Sequence, residues 1–201
     1  MTLIKTRAKL VDIARQLFAK QGLDNTTMND IAVAAGKGRR TLYTYFKNKE
    51  EIYYAVIESE LDLLSRRLAD VAALDIDLEE KLVECIYVHL DAIKEVVVRN
   101  GTLRAEFFRN IWMVEKVRKH FDVGEVRILT GILSEGSVSG RFAVESVALV
   151  ADVIHYCVKG LEVPYIYGRI GHGLQKGETR RIVKNLIHKA LKGDAGTPPN
   201  P

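Results

Sequence analysis

The sequence predicts an all-α protein of about nine helices, in which a small N-terminal domain precedes a larger helical one. Three observations lead there. Apolar residues recur three or four positions apart along most of the 201 residues, the spacing of one helical face. Glycines close these periodic runs, and Thr, Asn or acidic residues open them. No stretch alternates with the period of two that a half-buried strand needs, and no internal repeat is present.

Residues 4–21 read as the first helix, with Leu10, Ala14, Leu17 and Phe18 as its apolar stripe and Gly22 as its end. Lys5, Arg7 and Lys9 lie near its start, either as phosphate contacts or as solvated charge. Thr27 with Asp30 fits a capping box and fixes the start of a second helix. Met28, Ile31, Ala32 and Ala35 line one face of that helix, and Gly36 takes its left-handed cap. A third helix carries Arg39, Arg40, Thr41, Leu42, Tyr43, Thr44, Tyr45 and Phe46. Leu42 and Phe46, four apart, anchor it inward. Guanidiniums, phenols and hydroxyls then face outward, the groups that touch phosphates and base edges in a major groove.

TTMNDIA, AAG and TLYTYFKNKEE together resemble the helix-turn-helix of the tetracycline-repressor (TetR-type) family of bacterial regulators, over roughly residues 5–60. The family often follows its turn glycine with a small apolar residue and then Ser or Pro; here Lys37 and Gly38 stand there. The resemblance implies a homodimeric repressor that binds double-stranded DNA at an inverted-repeat operator and is released by a small-molecule effector. It also implies a phosphate contact at the start of the fourth helix, which falls on Lys49. The expected DNA-binding residues are Thr27, Arg39, Arg40, Thr41, Tyr43, Thr44, Tyr45 and Lys49.

Asn48 caps the fourth helix, with Glu50 and Glu51 in its first turn, where the helix dipole favours them. Tyr53, Ile57, Leu61, Leu64, Leu68 and Val71 continue its apolar face to about residue 72. In the family this helix is the lever between two domains. A break at residues 74–77 precedes a helix over 78–99, and Gly101 opens a shorter one holding Phe107, Phe108 and Trp112. A further helix from about residue 114 contains Gly124, Gly131 and Gly136, each costing up to about 1 kcal/mol against Ala and marking either a kink or a close contact. Residues 145–167 are apolar nearly all round, with Pro164 near the end; residues 178–192 carry the stripe Ile182, Val183, Leu186, Ile187, Ala190 and Leu191. Domain division is expected at 1–47 for DNA binding and 48–193 for effector binding and dimerisation, with 194–201 a disordered tail.

Charge is uneven. Residues 1–50 hold 10 Lys/Arg against 4 Asp/Glu, and the remaining 20 and 22 follow. The basic excess coincides with the helix-turn-helix, where it releases counterions from a polyanion. The charged, periodic N-terminus is no signal peptide, and no apolar run approaches the roughly 18 residues of a membrane span. A cytoplasmic protein with no membrane association is expected. Its two cysteines, Cys85 and Cys157, are read as free thiols, with a regulatory disulfide as the alternative.

No catalytic constellation, cofactor motif or metal-ligand spacing is found. Gly168, Gly171, Gly173 and Gly177 lack the spacing of a dinucleotide fingerprint. His155 and Cys157 point to different sides of one helix. Phe107, Phe108, Trp112, His155 and Tyr156, together with Tyr87 and His89, suit either an ordinary core or an aromatic-walled effector site; the first five are taken as ligand-binding, for a largely hydrophobic or aromatic ligand. The dimer interface is expected at Ile182, Val183, Leu186, Ile187 and Ala190, paired with the apolar helix before them. Control by a protein partner in place of a small molecule is the competing reading.

Overall fold

The computed structural model describes residues 2–99 and 111–192. Among the described residues are eight helices and no strand. They are α1 (Thr2–Gln21), α2 (Met28–Ala34), α3 (Arg39–Tyr45), α4 (Lys49–Ala73), α5 (Leu78–Arg99), α6 (Ile111–Val138), α7 (Val147–Ile166) and α8 (Lys176–Leu191). The helix expected to open at Gly101, with Phe107 and Phe108, lies outside the described residues, as does the side chain of Trp112. The expected tail, 194–201, lies outside them too.

The chain forms two compact units, residues 1–63 with 95–121 and residues 64–94 with 122–201. They do not coincide with a division at residue 47, because α4 contributes to both.

In the first unit, Leu10, Ala14 and Phe18 of α1, Ile31 and Ala32 of α2, Leu42 of α3, and Ile52, Tyr53 and Val56 of α4 share one core. Phe18 meets the Tyr53 ring edge-on at 6.3 Å between centroids. Thr27 caps α2 reciprocally: the Asp30 amide donates to Thr27 Oγ1 at 3.1 Å, and the Thr27 amide donates to Asp30 Oδ2 at 2.9 Å. Gly36 follows at φ 64°, where a Cβ would be strained.

In the second unit, α8 lies antiparallel to α5 through a ladder of ion pairs. Lys176 pairs with Asp91, Arg180 with Glu84, Lys184 with Glu80 and His188 with Glu79. The Arg180 guanidinium also covers the Tyr87 ring at 4.9 Å. Ile187 and Leu191 bury beneath this ladder, and the amide of Ala143 donates to Leu191 O at 2.8 Å.

The glycines of α6 resolve into two kinds. A Cβ on Gly124 or Gly131 would meet nothing within 4 Å, whereas one on Gly136 would fall 2.0 Å from Cδ2 of the buried Phe142 ring. Gly136 is therefore a close-contact glycine, and α6 runs as one helix through all three. Pro164 likewise sits inside α7, two residues before its end at Ile166.

Candidate nucleic-acid interface

The segment from Arg39 to Phe46 is built by a division of labour within eight residues. Leu42 is fully buried and Phe46, the C-cap of α3, is 3% exposed. With these two fixed in the core, helical periodicity turns Arg39, Arg40, Tyr43 and Thr44 to solvent. Arg39 rests over the Tyr43 ring at 5.7 Å, and the Thr44 hydroxyl donates to Arg40 O at 3.1 Å. Thr41 is half-buried, and Tyr45 is half-buried against the core. Gly38 is the N-cap, so α3 begins without a side-chain cap. The exposed Thr27 sits at the start of α2 with its hydroxyl committed to Asp30 Oδ2 at 2.7 Å. From α1, the exposed Arg7 places its guanidinium 5.1 Å from the Phe46 ring centroid, close to the end of α3.

Lys49 opens α4 and reaches back to the N-terminal helices. Its Nζ donates to Leu23 O at 2.6 Å and to Asp24 O at 3.3 Å, on the turn between α1 and α2. Sequence spacing cannot reveal this contact, because its partners are backbone carbonyls 26 and 25 residues away.

Of the expected effector residues, His155 and Tyr156 are the two whose side chains fall within the described residues. His155 is 2% exposed, while its neighbour Tyr156 is 66% exposed. Successive residues on a helix point about 100° apart, yet the two rings still meet edge-on, with 5.0 Å between centroids. His155 belongs to a buried polar cluster that sequence reading missed. Its Nδ1 donates to Glu125 Oε2 at 2.6 Å; His89 Nδ1 donates to Glu125 Oε1 at 2.6 Å, and His89 Nε2 to Glu162 Oε1 at 2.8 Å. Lys159 reaches Asp122 at 3.1 Å beside it. Burial alone would lower the His89 pKa, but its hydrogen bonds to Glu125 and Glu162 raise it to about 9. Burial would likewise raise Glu125, yet bonds from His155 and His89 hold it at about 2. Burial, with Glu125 nearby, pushes the Cys85 thiol up to about 12, leaving it a protonated, inert group. Among the described residues no group of His, Cys, Asp and Glu can hold a metal ion.

The expected interface residues divide. Leu186 is 67% and Ile182 49% exposed; Ala190 is exposed and Val183 half-buried. Ile187, expected beside them, is buried within its own unit, since it lies on the face of α8 that meets the ladder to α5. On α7, Leu149, Val153 and Tyr156 form a second exposed apolar stripe, with the exposed Cys157 adjoining.

Residues 10–56 match the family described as bacterial regulatory proteins, tetR family. An HTH-type transcriptional regulator of Staphylococcus aureus (strain USA300) is 31% identical over 99 residues, which are 49% of this chain and 51% of that protein. The chain thus spans about half the length of the relatives it matches. Among solved structures, a transcriptional regulator from Cytophaga hutchinsonii shares the fold with a TM-score of 0.70 at 22% identity, over 92% of this chain and 97% of that one. A fatty acid degradation regulator from Bacillus halodurans does so with a TM-score of 0.63 at 20% identity, over 94% and 95%.

Proposed function

Because residues 10–56 match the tetR family of bacterial regulatory proteins, we propose that the chain is a member of that family and a homodimeric repressor of an inverted-repeat operator. The observation that carries this reading is the surface of α3: Arg39, Arg40, Tyr43 and Thr44 are exposed together on a helix whose other side is locked into the core. Arg39 and Arg40 read bases, Tyr43 packs on a thymine methyl or a phosphate, and Thr27, Thr41, Thr44 and Tyr45 serve the backbone contacts that fix register. One recognition helix covers only a few base pairs. Two held about 34 Å apart read both halves of a palindrome, and the exposed stripes on α7 and α8 are the surfaces suited to pair with those of a second copy.

Release follows from a small, largely apolar or aromatic effector with greater affinity for the state that does not fit DNA. The aromatic sequence around Phe107, Phe108 and Trp112 supports that chemistry. Of the other expected effector residues, His155 is bonded within the buried cluster and Tyr156 is exposed on α7.

Selection of duplexes from a random-sequence pool tests the reading. The wild type is expected to recover an inverted repeat, and Arg39→Ala or Arg40→Ala to relax preference at one position per half-site, by roughly 1–3 kcal/mol. Unchanged base preference in both variants would remove these arginines from base reading. The recovered duplex then serves to screen effectors: displacement by apolar or aromatic compounds is expected, and displacement only by a protein would favour control by a partner.

A further inference from the structure

We propose that Lys49 is a positioning residue for DNA binding, tying the turn between α1 and α2 to the start of α4, and is not a phosphate contact; the role presupposes the DNA-binding reading above. A lysine in the first turn of a helix opposes the helix dipole, so its placement there needs a compensating partner. It has two, at Leu23 O and Asp24 O, which occupy two of the three ammonium donors. Leu23 O also accepts the Thr26 amide at 3.2 Å, so the ammonium lands on a carbonyl that itself closes the turn. Thr26 is fully buried and its hydroxyl donates to Gly22 O at 2.6 Å. Thr27, the next residue, caps α2. Lys49 therefore fixes the segment from which α2 enters the bundle, and α3 packs on α2.

The other end of the tie is equally constrained. The Glu51 amide donates to Asn48 Oδ1 at 2.8 Å, and Glu51 Oε2 accepts the Lys47 amide at 2.7 Å. The backbone on either side of Lys49 is thus held where α3 passes into α4. Three turns further along α4, Glu60, 8% exposed, accepts Arg15 Nη1 of α1 at 3.1 Å. Between these two points the contact is apolar, through Phe18, Ile52, Tyr53 and Val56. Apolar contact is non-directional, whereas the two polar ties set the register of α4 along α1.

Lys49→Met, which keeps the apolar stem and removes the donors, is compared with Lys49→Arg and with the wild type. Amide hydrogen exchange on the free protein should show roughly tenfold faster exchange at Thr26 and its neighbours in Lys49→Met, with recovery in Lys49→Arg. Binding to the duplex recovered with the wild type is measured at several salt concentrations, well below the melting temperature of each variant. Affinity should fall in Lys49→Met and return in Lys49→Arg, with the dependence of log K on log salt unchanged. A salt dependence weakened by about 1 per half-site would make Lys49 a phosphate contact and overturn the proposal. So would unchanged exchange at the turn, or unchanged affinity. If the wild type recovers no duplex, the DNA-binding reading fails, while the exchange measurement still decides whether the tie holds the turn. Lys49→Gln substitutes for Lys49→Met, with the same outcomes, should the latter not fold.

Discussion

Replacing Leu186 with Glu should turn a dimer into a folded monomer. Leu186 is 67% exposed in the single chain and stands apart from the ion-pair ladder on the opposite face of α8. Fully burying a leucine is worth about 1.5–3 kcal/mol, so covering its exposed part contributes about 1–2 kcal/mol. A twofold interface contains the residue twice. Its loss alone then removes about 2–4 kcal/mol, a rise of roughly 30- to 700-fold in the dimer dissociation constant. Desolvating two carboxylates against each other adds to that. Sedimentation velocity over a wide concentration range reads the effect directly, with circular dichroism as the check on folding. Ile187 is the wrong companion for this substitution: it is 8% exposed, and a glutamate there would attack the fold and the interface together. Val153, 52% exposed on α7, is the better one, since Val153→Glu tests the second stripe without entering the core. A folded Leu186→Glu variant that stays dimeric at every concentration where the wild type does would refute the assignment.

Thermal denaturation should separate the glycines of α6. Gly136→Ala drives a Cβ into the Phe142 ring and should cost about 1–3 kcal/mol, while Gly131→Ala meets nothing and should gain up to about 1 kcal/mol; equal effects would contradict the packing described. Stability should also depend on pH through the buried cluster. His89 is raised to about 9, so its contribution is complete below its ordinary value of 6.5 and is lost as pH rises through about 9. Glu125 is lowered to about 2, so its contribution is present above its ordinary 4.5 and is lost as pH falls through about 2. Melting temperature should therefore decline between neutral pH and pH ~10, and the decline should flatten in His89→Phe; the same alkaline slope in both proteins would count against it.

Where local rules decide the structure, the sequence was legible. The capping box at Thr27 and Asp30, the turn at Gly36, the inward pair Leu42 and Phe46 and the cap at Asn48 depend on residues no more than four apart. The boundaries of α2 and α3 and the start of α4 follow from them. What was not legible depends on which helices meet. His89, Glu125 and Glu162 lie 36 and 73 residues apart along the chain, and nothing in the neighbourhood of any one of them announces the others. His155 illustrates the cost: the sequence left it either in an ordinary core or in an aromatic-walled site, and only tertiary packing shows it 2% exposed and bonded to Glu125 while Tyr156 stays exposed. One missed feature did leave a signal. Lys176, Arg180, Lys184 and His188 recur every four residues on α8, and Glu79, Glu80, Glu84 and Asp91 lie along α5. Two such stripes of opposite charge can be matched by inspection.

That match changes what the apolar stripe of α8 means. A surface helix ordinarily turns its apolar residues inward and its charges to water. Here the basic residues face α5, and Ile182 and Leu186 face solvent. Each half-exposed ion pair contributes little, about 0–1 kcal/mol, and of the apolar stripe only Ile187 and Leu191 are buried. Docking of α8 within one chain is therefore weakly held, and covering its outer stripe by a second chain would stabilise the helix as well as the dimer. The two equilibria are linked: whatever binds the docked form of α8 favours docking. Salt enters through the same pairs. Screening weakens half-exposed ion pairs, so α8 should loosen and dimer affinity fall together as ionic strength rises, although the interface itself would be apolar. An ordinary hydrophobic interface responds the other way or not at all. The salt dependence of dimerisation, measured by sedimentation in the absence of DNA, thus distinguishes an α8 presented by its ion pairs from one held by its apolar side alone. In Lys184→Met, which removes one rung, that dependence should be smaller than in the wild type; a dimer whose affinity rises with salt would contradict the linkage.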